Sequence, residues 1–487
     1  MAALPPLDKL DPADAWAPWK PSAEEPWTRK WAAHLYRRAA FGATTEELAA
    51  AEKRGLTDTL ESLLKGKPGA NELVSTLNDT GRVAATRDNE GAKLREWWLY
   101  CMIHGGHPLR EKLTLFWHNH FATSIAKVRD SNLMFQQNRL FRDNALGKFE
   151  PFLQAVSRDL AMLVWLDSNS NLKGKPNENY AREVMELFSL GVGNYTEKDI
   201  REAARAFTGW HTDGATFRFS ADQHDKGSKT VLGKTGEWDG GDVVKIILEQ
   251  PTAAKFLVRK LYAFYVSETP PPDALLEPLC ESFRKNEYDV AAVVKTMLSS
   301  RLFFSDHAFR KRIKSPVEYA LGGALSIYRR FAENDPHSRP LPHQALVKWI
   351  GSMGQILFAP PNVKGWPGGR TWLNTATLLD RDNFAAVLAS GELWIPPAET
   401  SGFAINPDVP PPRAFDSARV VEEEKVTKPE DVVSVLLDAH VPGGVRGAAR
   451  AKLVAFLADG KPTGREFTKR VRETVHAILT MPEYQLS

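Results

Sequence analysis

Apolar residues recur three and four positions apart along most of the chain, the spacing that gathers them on one side of an α-helix. The run from Thr44 to Gly55 marks both ends of one such helix, with a capping Thr44, Glu47 three residues on and a closing glycine. The same periodicity predicts helices at about 91–104, 108–121, 130–145, 149–164, 177–190 and 196–208, and again through 241–304. From about 210 to 240 the texture turns to glycine and aspartate with alternating Phe217 and Phe219, which predicts a short β-hairpin or an ordered loop. A helical start near 341 gives way to FAPPNVKGWPGGRTWLN, whose prolines and glycines forbid regular structure.

These elements define a mainly α fold: a multi-helical globular domain with a short β-hairpin or ordered loop insertion and a small helical C-terminal unit. Residues 1–28 read as an extended, proline-rich arm pinned by Trp16, Trp19 and Trp27, and residues 29–395 as the main helical domain. Residues 396–430, rich in proline and then in charge, read as a linker to the unit at 431–487. Val294, Met297, Leu298, Ser299 and Phe303 align with Val475, Ile478, Leu479, Thr480 and Tyr484, a short internal echo of one helix and its exit.

Composition narrows the function classes. With 487 residues, 43% hydrophobic and 25% charged, the chain has the balance of an ordinary globular protein and not of a disordered or fibrous one. A net charge of +3 is too small to suggest a phosphate-neutralising surface, so nucleic acid is not an expected partner. The basic run FRKRIK at 309–314 reads accordingly as a solvated helix face. Cys101 and Cys280 have no paired spacing, which argues against a disulfide framework or a cysteine-rich zinc module. No stretch approaches the roughly 18 apolar residues of a membrane span, and no signal-like segment opens the chain; a cytoplasmic location without membrane contact is the expectation.

Candidate chemistry concentrates in three segments. In PLREKLTLFWHNHF, Pro108 suits a first helical turn, and the helix wheel puts His120 within the apolar stripe and His118 opposite. The two share a metal only if the helix ends near Trp117 and the chain continues extended; otherwise His120 reads as a core histidine satisfied by a polar partner. In KPNENYAREVMELFSLG, Asn177 can cap a helix with Tyr180, Val184, Leu187 and Leu190 on its buried stripe. Glu183 falls on that stripe and Glu186 on its flank, whereas Glu178 and Arg182 form a pair four residues apart nearer solvent. A carboxylate on a packed face needs an ion pair, hydrogen bonds or a metal; Arg201 or Arg205 would supply the ion pair.

The third segment, FRFSADQHDKGSKTVLG, sets His224, Asp225 and Lys229 in a polar turn, where Asp225 either serves a site or bonds its own backbone. In the proline-glycine segment, Trp366 and Trp372 read as a flat binding platform or as core plugs. No phosphate loop, dinucleotide fingerprint or nucleophile elbow is present in the sequence.

Taken together, LREKLTLFWHNHFATS, NENYAREVMELFSLGVGNYT with EAARAFTGW, HDKGSKTVLG, and PPNVKGWPGG followed by WLN resemble, in order, the bacterial family called domain of unknown function 1800. The resemblance spans about residues 30–390 and implies a largely helical fold but no particular activity. It further implies export for many members and a sulfatase-like protein as the partner found beside them; the missing signal segment departs from that pattern.

Two functional expectations follow. One is a metal-dependent, hydrolase-like enzyme, with one divalent zinc, manganese or iron held by His118, His120 and Glu183 and activating water. Glu186, His224 and Asp225 would complete the catalytic set, and Lys229 or Arg182 would hold an anionic substrate group. The other is a non-catalytic helical scaffold in which the same residues form a buried ion-pair network and the tryptophan segment docks a protein partner.

Overall fold

The computed structural model describes residues 4–87, 90–327, 343–394 and 416–487. Helices dominate, and the capping residues explain many of their boundaries. Thr44 and Glu47 exchange the two hydrogen bonds of a capping box at the head of the Thr45–Arg54 helix, and Gly55 ends it at φ 85°. Pro108 opens Pro108–His120, where the His107 ring accepts the Arg110 N–H at 3.3 Å. The glycine-rich stretch forms two small antiparallel hairpins, Trp210–Thr212 with Phe217–Phe219 and Lys229–Val231 with Lys234–Gly236.

Several boundaries differ from the periodicity. The 149–164 region is two helices, Phe149–Ser157 and Leu160–Trp165, because the Asp159 carboxylate accepts the Met162 N–H at 2.9 Å and starts a new helix. The region 241–304 likewise divides into Gly240–Leu248, Pro251–Tyr265, Asp273–Lys285 and Val290–Ser299. The N-terminal arm is not extended throughout. Asp11 caps a short helix at Pro12–Trp16, and the tryptophans do anchor the arm: Trp16 donates to the Leu275 carbonyl at 2.6 Å, Trp19 stacks on Phe304, and Trp27 donates to the Ala51 carbonyl at 3.0 Å.

The FRKRIK run is not a solvated helix face. It lies outside any helix, and Arg312 and Lys314 are buried. Of the linker expected at 396–430, residues 396–415 lie outside the described residues. Beyond them Arg419–Glu423 is already helical, and Val420 and Val421 are buried.

Two apolar clusters make up the interior. The first joins the arm to Leu109, Leu113 and Trp117 and to the helices Asn179–Glu186, Pro251–Tyr265 and Val290–Ser299. The second joins Trp97, Trp98 and Leu115 to the helices Pro316–Ile327, Thr375–Ser390, Pro429–His440 and Gly464–Thr480. Pro108–His120 contributes to both clusters and is covered on nearly every side, so its charged residues Glu111 and Lys112 are buried with its leucines. The two echoed segments behave alike: Val290–Ser299 and Gly464–Thr480 each end in extended backbone, and Phe303 and Tyr484 are both buried beyond the helix end.

Packing is close around Gly81 in the Ala70–Arg87 helix, where an added Cβ would meet Phe135 at 2.5 Å and Trp97 at 2.6 Å. Alanine normally gains roughly 1 kcal/mol over glycine inside a helix. Gly81→Ala is nevertheless expected to lower stability by about 1–3 kcal/mol, the cost of overpacking against rigid rings. The urea-denaturation midpoint tests this, and an unchanged or higher midpoint would show that the helix can move aside.

Candidate functional site

The site is built at the point where the Asn179–Glu186 helix unwinds. Asn177 accepts the Asn179 N–H at 2.9 Å and starts the helix. At the other end, the Leu190 and Gly191 amides both reach back to the Met185 carbonyl, and Gly191 adopts φ 82°. The carbonyls of Leu187 and Phe188 point onward without a helical partner, and the helix macrodipole makes that end attractive to proton donors. His120 and Lys260 take them.

His120 lies 3.0 Å through Nε2 from the Phe188 carbonyl and 2.9 Å through Nδ1 from the Lys260 ammonium. A carbonyl can only accept, so Nε2 carries the proton and Nδ1 accepts from Lys260. Burial, helped by the Lys260 charge, holds the imidazole well below its ordinary pKa and therefore neutral. Lys260, from Pro251–Tyr265, also reaches the Leu187 carbonyl at 3.4 Å and sits 5.1 Å over the Phe256 ring. Its ammonium forms no ion pair with a carboxylate among the described residues, and burial pulls it down to about 8.

One helical turn before Leu187 stands Glu183, partly exposed and with no side-chain hydrogen bond or ion pair among the described residues. Burial raises its carboxyl pKa and the Glu186 charge raises it further, while Arg182 and Lys364 oppose both. Glu186 accepts the Tyr195 hydroxyl at 2.7 Å. Arg182 is committed to Glu178 at 3.1 Å and to both oxygens of Glu197 at 2.8 Å. Of the two arginines expected to hold Glu183, Arg205 grips Asp225 and Glu202 instead, and Arg201 forms no ion pair with Glu183 among the described residues.

Lys364 is brought to Glu183 by the tryptophan loop. Asn119, beside His120, clamps that loop by accepting the Trp366 N–H at 2.7 Å and donating to its carbonyl at 3.3 Å. Gly365 makes the approach possible: it adopts φ 77°, and a Cβ there would lie 2.2 Å from the Asn119 side-chain oxygen. Trp366 and Trp372 are buried as core plugs and do not form an open platform.

The sequence-derived candidates therefore divide. His120 meets the unwound end of the helix; Glu183 lies one turn earlier on that helix beside Glu186, and no hydrogen bond or ion pair joins it to His120 or Lys260 among the described residues. His118 faces elsewhere. The helix runs unbroken to His120, which closes the extended-chain route to a shared metal; His118 packs against Trp98, Phe358 and Trp366 and accepts the Phe358 N–H at 3.1 Å. Burial lowers its pKa to about 3, so it too is neutral.

The glycine-rich turn forms a separate network. His224 bonds the Thr208 carbonyl through Nδ1 at 2.9 Å, Asp225 takes a two-pronged grip from Arg205 at 2.8 and 3.2 Å, and Lys229 donates to the Gly227 carbonyl at 2.9 Å. No hydrogen bond or ion pair joins these residues to His120 or Glu183 among the described residues. Nor do three or more histidine, cysteine, aspartate or glutamate side chains come together as a metal-holding group among the described residues.

Sequence reasoning passed over Lys260, Asn119 and Lys364. A lysine inside the apolar run KFLVRKLYAFYV was the one available signal. No helix among the described residues is long and apolar enough to cross a membrane. The molecule is a helical protein with buried ionic networks and a lysine–histidine pair seated on a helix end. The chain belongs to the family described as protein of unknown function (DUF1800), whose model matches residues 34–486. No curated protein and no solved structure matches it.

Proposed function

We propose that the chain is a hydrolase-like enzyme whose proton-transfer centre is Lys260 with His120, assisted by Glu183, which stands one helical turn before the Leu187 carbonyl that Lys260 reaches. The observation that carries this reading is Lys260, a desolvated amine without a carboxylate partner, held by a neutral histidine. An ammonium with a pKa of about 8 is neutral in roughly one molecule in ten at pH 7, enough to act as base or nucleophile. Glu183, held up by burial and by Glu186, is the complementary acid, and Lys364 above it suits a substrate with negative charge.

The metal-dependent form of this reading rests on Glu183 and Glu186, whose mutual repulsion a bound cation would relieve; His118 and His120 have their ring nitrogens engaged by Phe358, Phe188 and Lys260. A scaffold role is favoured by the Arg182 and Arg205 networks, which tie candidate residues into ordinary ion pairs.

The test combines lysine titration with a substrate screen. Lys260 is expected to titrate near pH 8 by NMR of labelled lysine, assigned by its loss in Lys260→Met. Turnover of an ester, amide or phosphoester in a panel should fall about 100-fold or more in Lys260→Met and Glu183→Gln, the usual weight of a general acid or base. Metal content should be unaffected by Lys260→Met and lost in Glu183→Gln if the cation form applies. A Lys260 titrating with the surface lysines, in a protein that turns over none of the panel, would leave the scaffold reading standing.

A further inference from the structure

The interior beneath the Arg29–Ala39 helix holds more positive charge than its carboxylates balance. Arg37, Arg38, Lys112, Arg312, Lys314 and Arg381 gather there around Glu318 and Glu268. Both carboxylates are committed: Glu318 to Lys112, Arg312 and the Ser315 N–H, and Glu268 to the Ile313 N–H. Arg38 and Arg381 end on neutral oxygens, the first on the Ala308 carbonyl and the second on the Lys314 carbonyl and the Gln485 side chain.

Two cations have no such ending. Arg37 has Nε and Nη2 buried without a hydrogen-bond partner. Lys314, only 4% exposed, makes no side-chain hydrogen bond or ion pair among the described residues, and its ammonium lies 3.5 Å from the centre of the Tyr484 ring. Both line one cavity of about 30 Å³, together with Ser326, Glu318, Tyr484 and Ser487. An unpaired buried cation carries a desolvation cost that an anion would offset, so the cavity is suited to an anionic group.

We propose that this cavity is a binding site for a carboxylate group, held by Arg37 and Lys314. A guanidinium beside an ammonium matches the two oxygens of a carboxylate through charge-assisted hydrogen bonds. The size agrees: a water needs about 10–15 Å³ of such space, so the cavity takes about two oxygens and not the four of a phosphate. Burial, which disfavours the charge on both residues, acts in the same direction, because a bound anion would restore it. The carboxylate is that of a free small acid, and the Ser487 main chain exchanges hydrogen bonds with Arg312 at the rim.

Thermal unfolding of the full chain in formate, against chloride at equal ionic strength, tests the site. Formate is expected to raise the melting temperature saturably beyond chloride, with a half-saturating concentration at least about tenfold higher in Arg37→Met and Lys314→Met. Arg37→Lys, which keeps the charge, retains part of the effect. No formate response, or the same response with Arg37 and Lys314 both replaced by methionine, overturns the proposal.

Discussion

Glu111→Ala is expected to destabilise the protein by about 3–5 kcal/mol, because it strands a buried guanidinium. Arg142 meets Glu111 through Nε at 2.5 Å and Nη2 at 3.0 Å, and Trp98 donates to the same carboxylate at 3.1 Å. The two side chains are 3% and 4% exposed, so water cannot replace the lost partner. The loss comes from the uncompensated charge more than from the pair itself. The double variant Glu111→Leu with Arg142→Met should therefore recover most of the stability. Urea unfolding of the two single variants and the double gives the coupling; a single variant costing under about 1 kcal/mol would place this pair with ordinary surface salt bridges.

Glu318→Gln is expected to cost a similar amount at pH 7, about 3–5 kcal/mol, and also to flatten the acid limb of the stability curve. Lys112 donates to Glu318 at 2.5 Å, and both side chains are sealed from solvent. Burial alone would push the carboxyl pKa up; Lys112 and Arg312, with the Ser315 N–H, more than reverse this and hold it well below the ordinary value of 4.5. The folded-state pKa thus lies below the unfolded one. The contribution is fully present above about pH 4.5 and is lost as pH falls through the folded value. Stability measured from pH 7 downward should fall less steeply in Glu318→Gln than in the parent chain. Parallel curves would mean that other carboxylates carry the acid sensitivity.

How far the site was legible is seen residue by residue. Glu183 was visible as a carboxylate on an apolar stripe, and the structure leaves it without the arginine that would have explained it. His120 was visible for the same reason, a polar ring at an apolar position. Asp225 and Lys229 looked similar on paper, yet Arg205 and the Gly227 carbonyl satisfy them locally. Lys260 is not legible as a site residue, since its partner His120 lies 140 positions away. The depth of Arg312 and Lys314 is not legible in the basic run, because the length of a charge run carries no information on burial. Their burial follows from packing against Glu318, Tyr484 and the helix that carries Lys112.

By itself the sequence determined the helical class, many of the capped ends, the hairpin region and the irregular tryptophan segment. Those features arise from interactions within a few residues: a hydrogen bond four positions back, a cap three positions ahead, a glycine or proline that forbids continuation. Only the tertiary structure decided which charged residues lie inside. It set Glu111 against Arg142, Lys112 against Glu318 and Lys260 against His120, across gaps of 31, 206 and 140 residues. The physical reason is that the free energy of a buried charge depends on its solvent exclusion and on its partner, and neither is a property of the local chain.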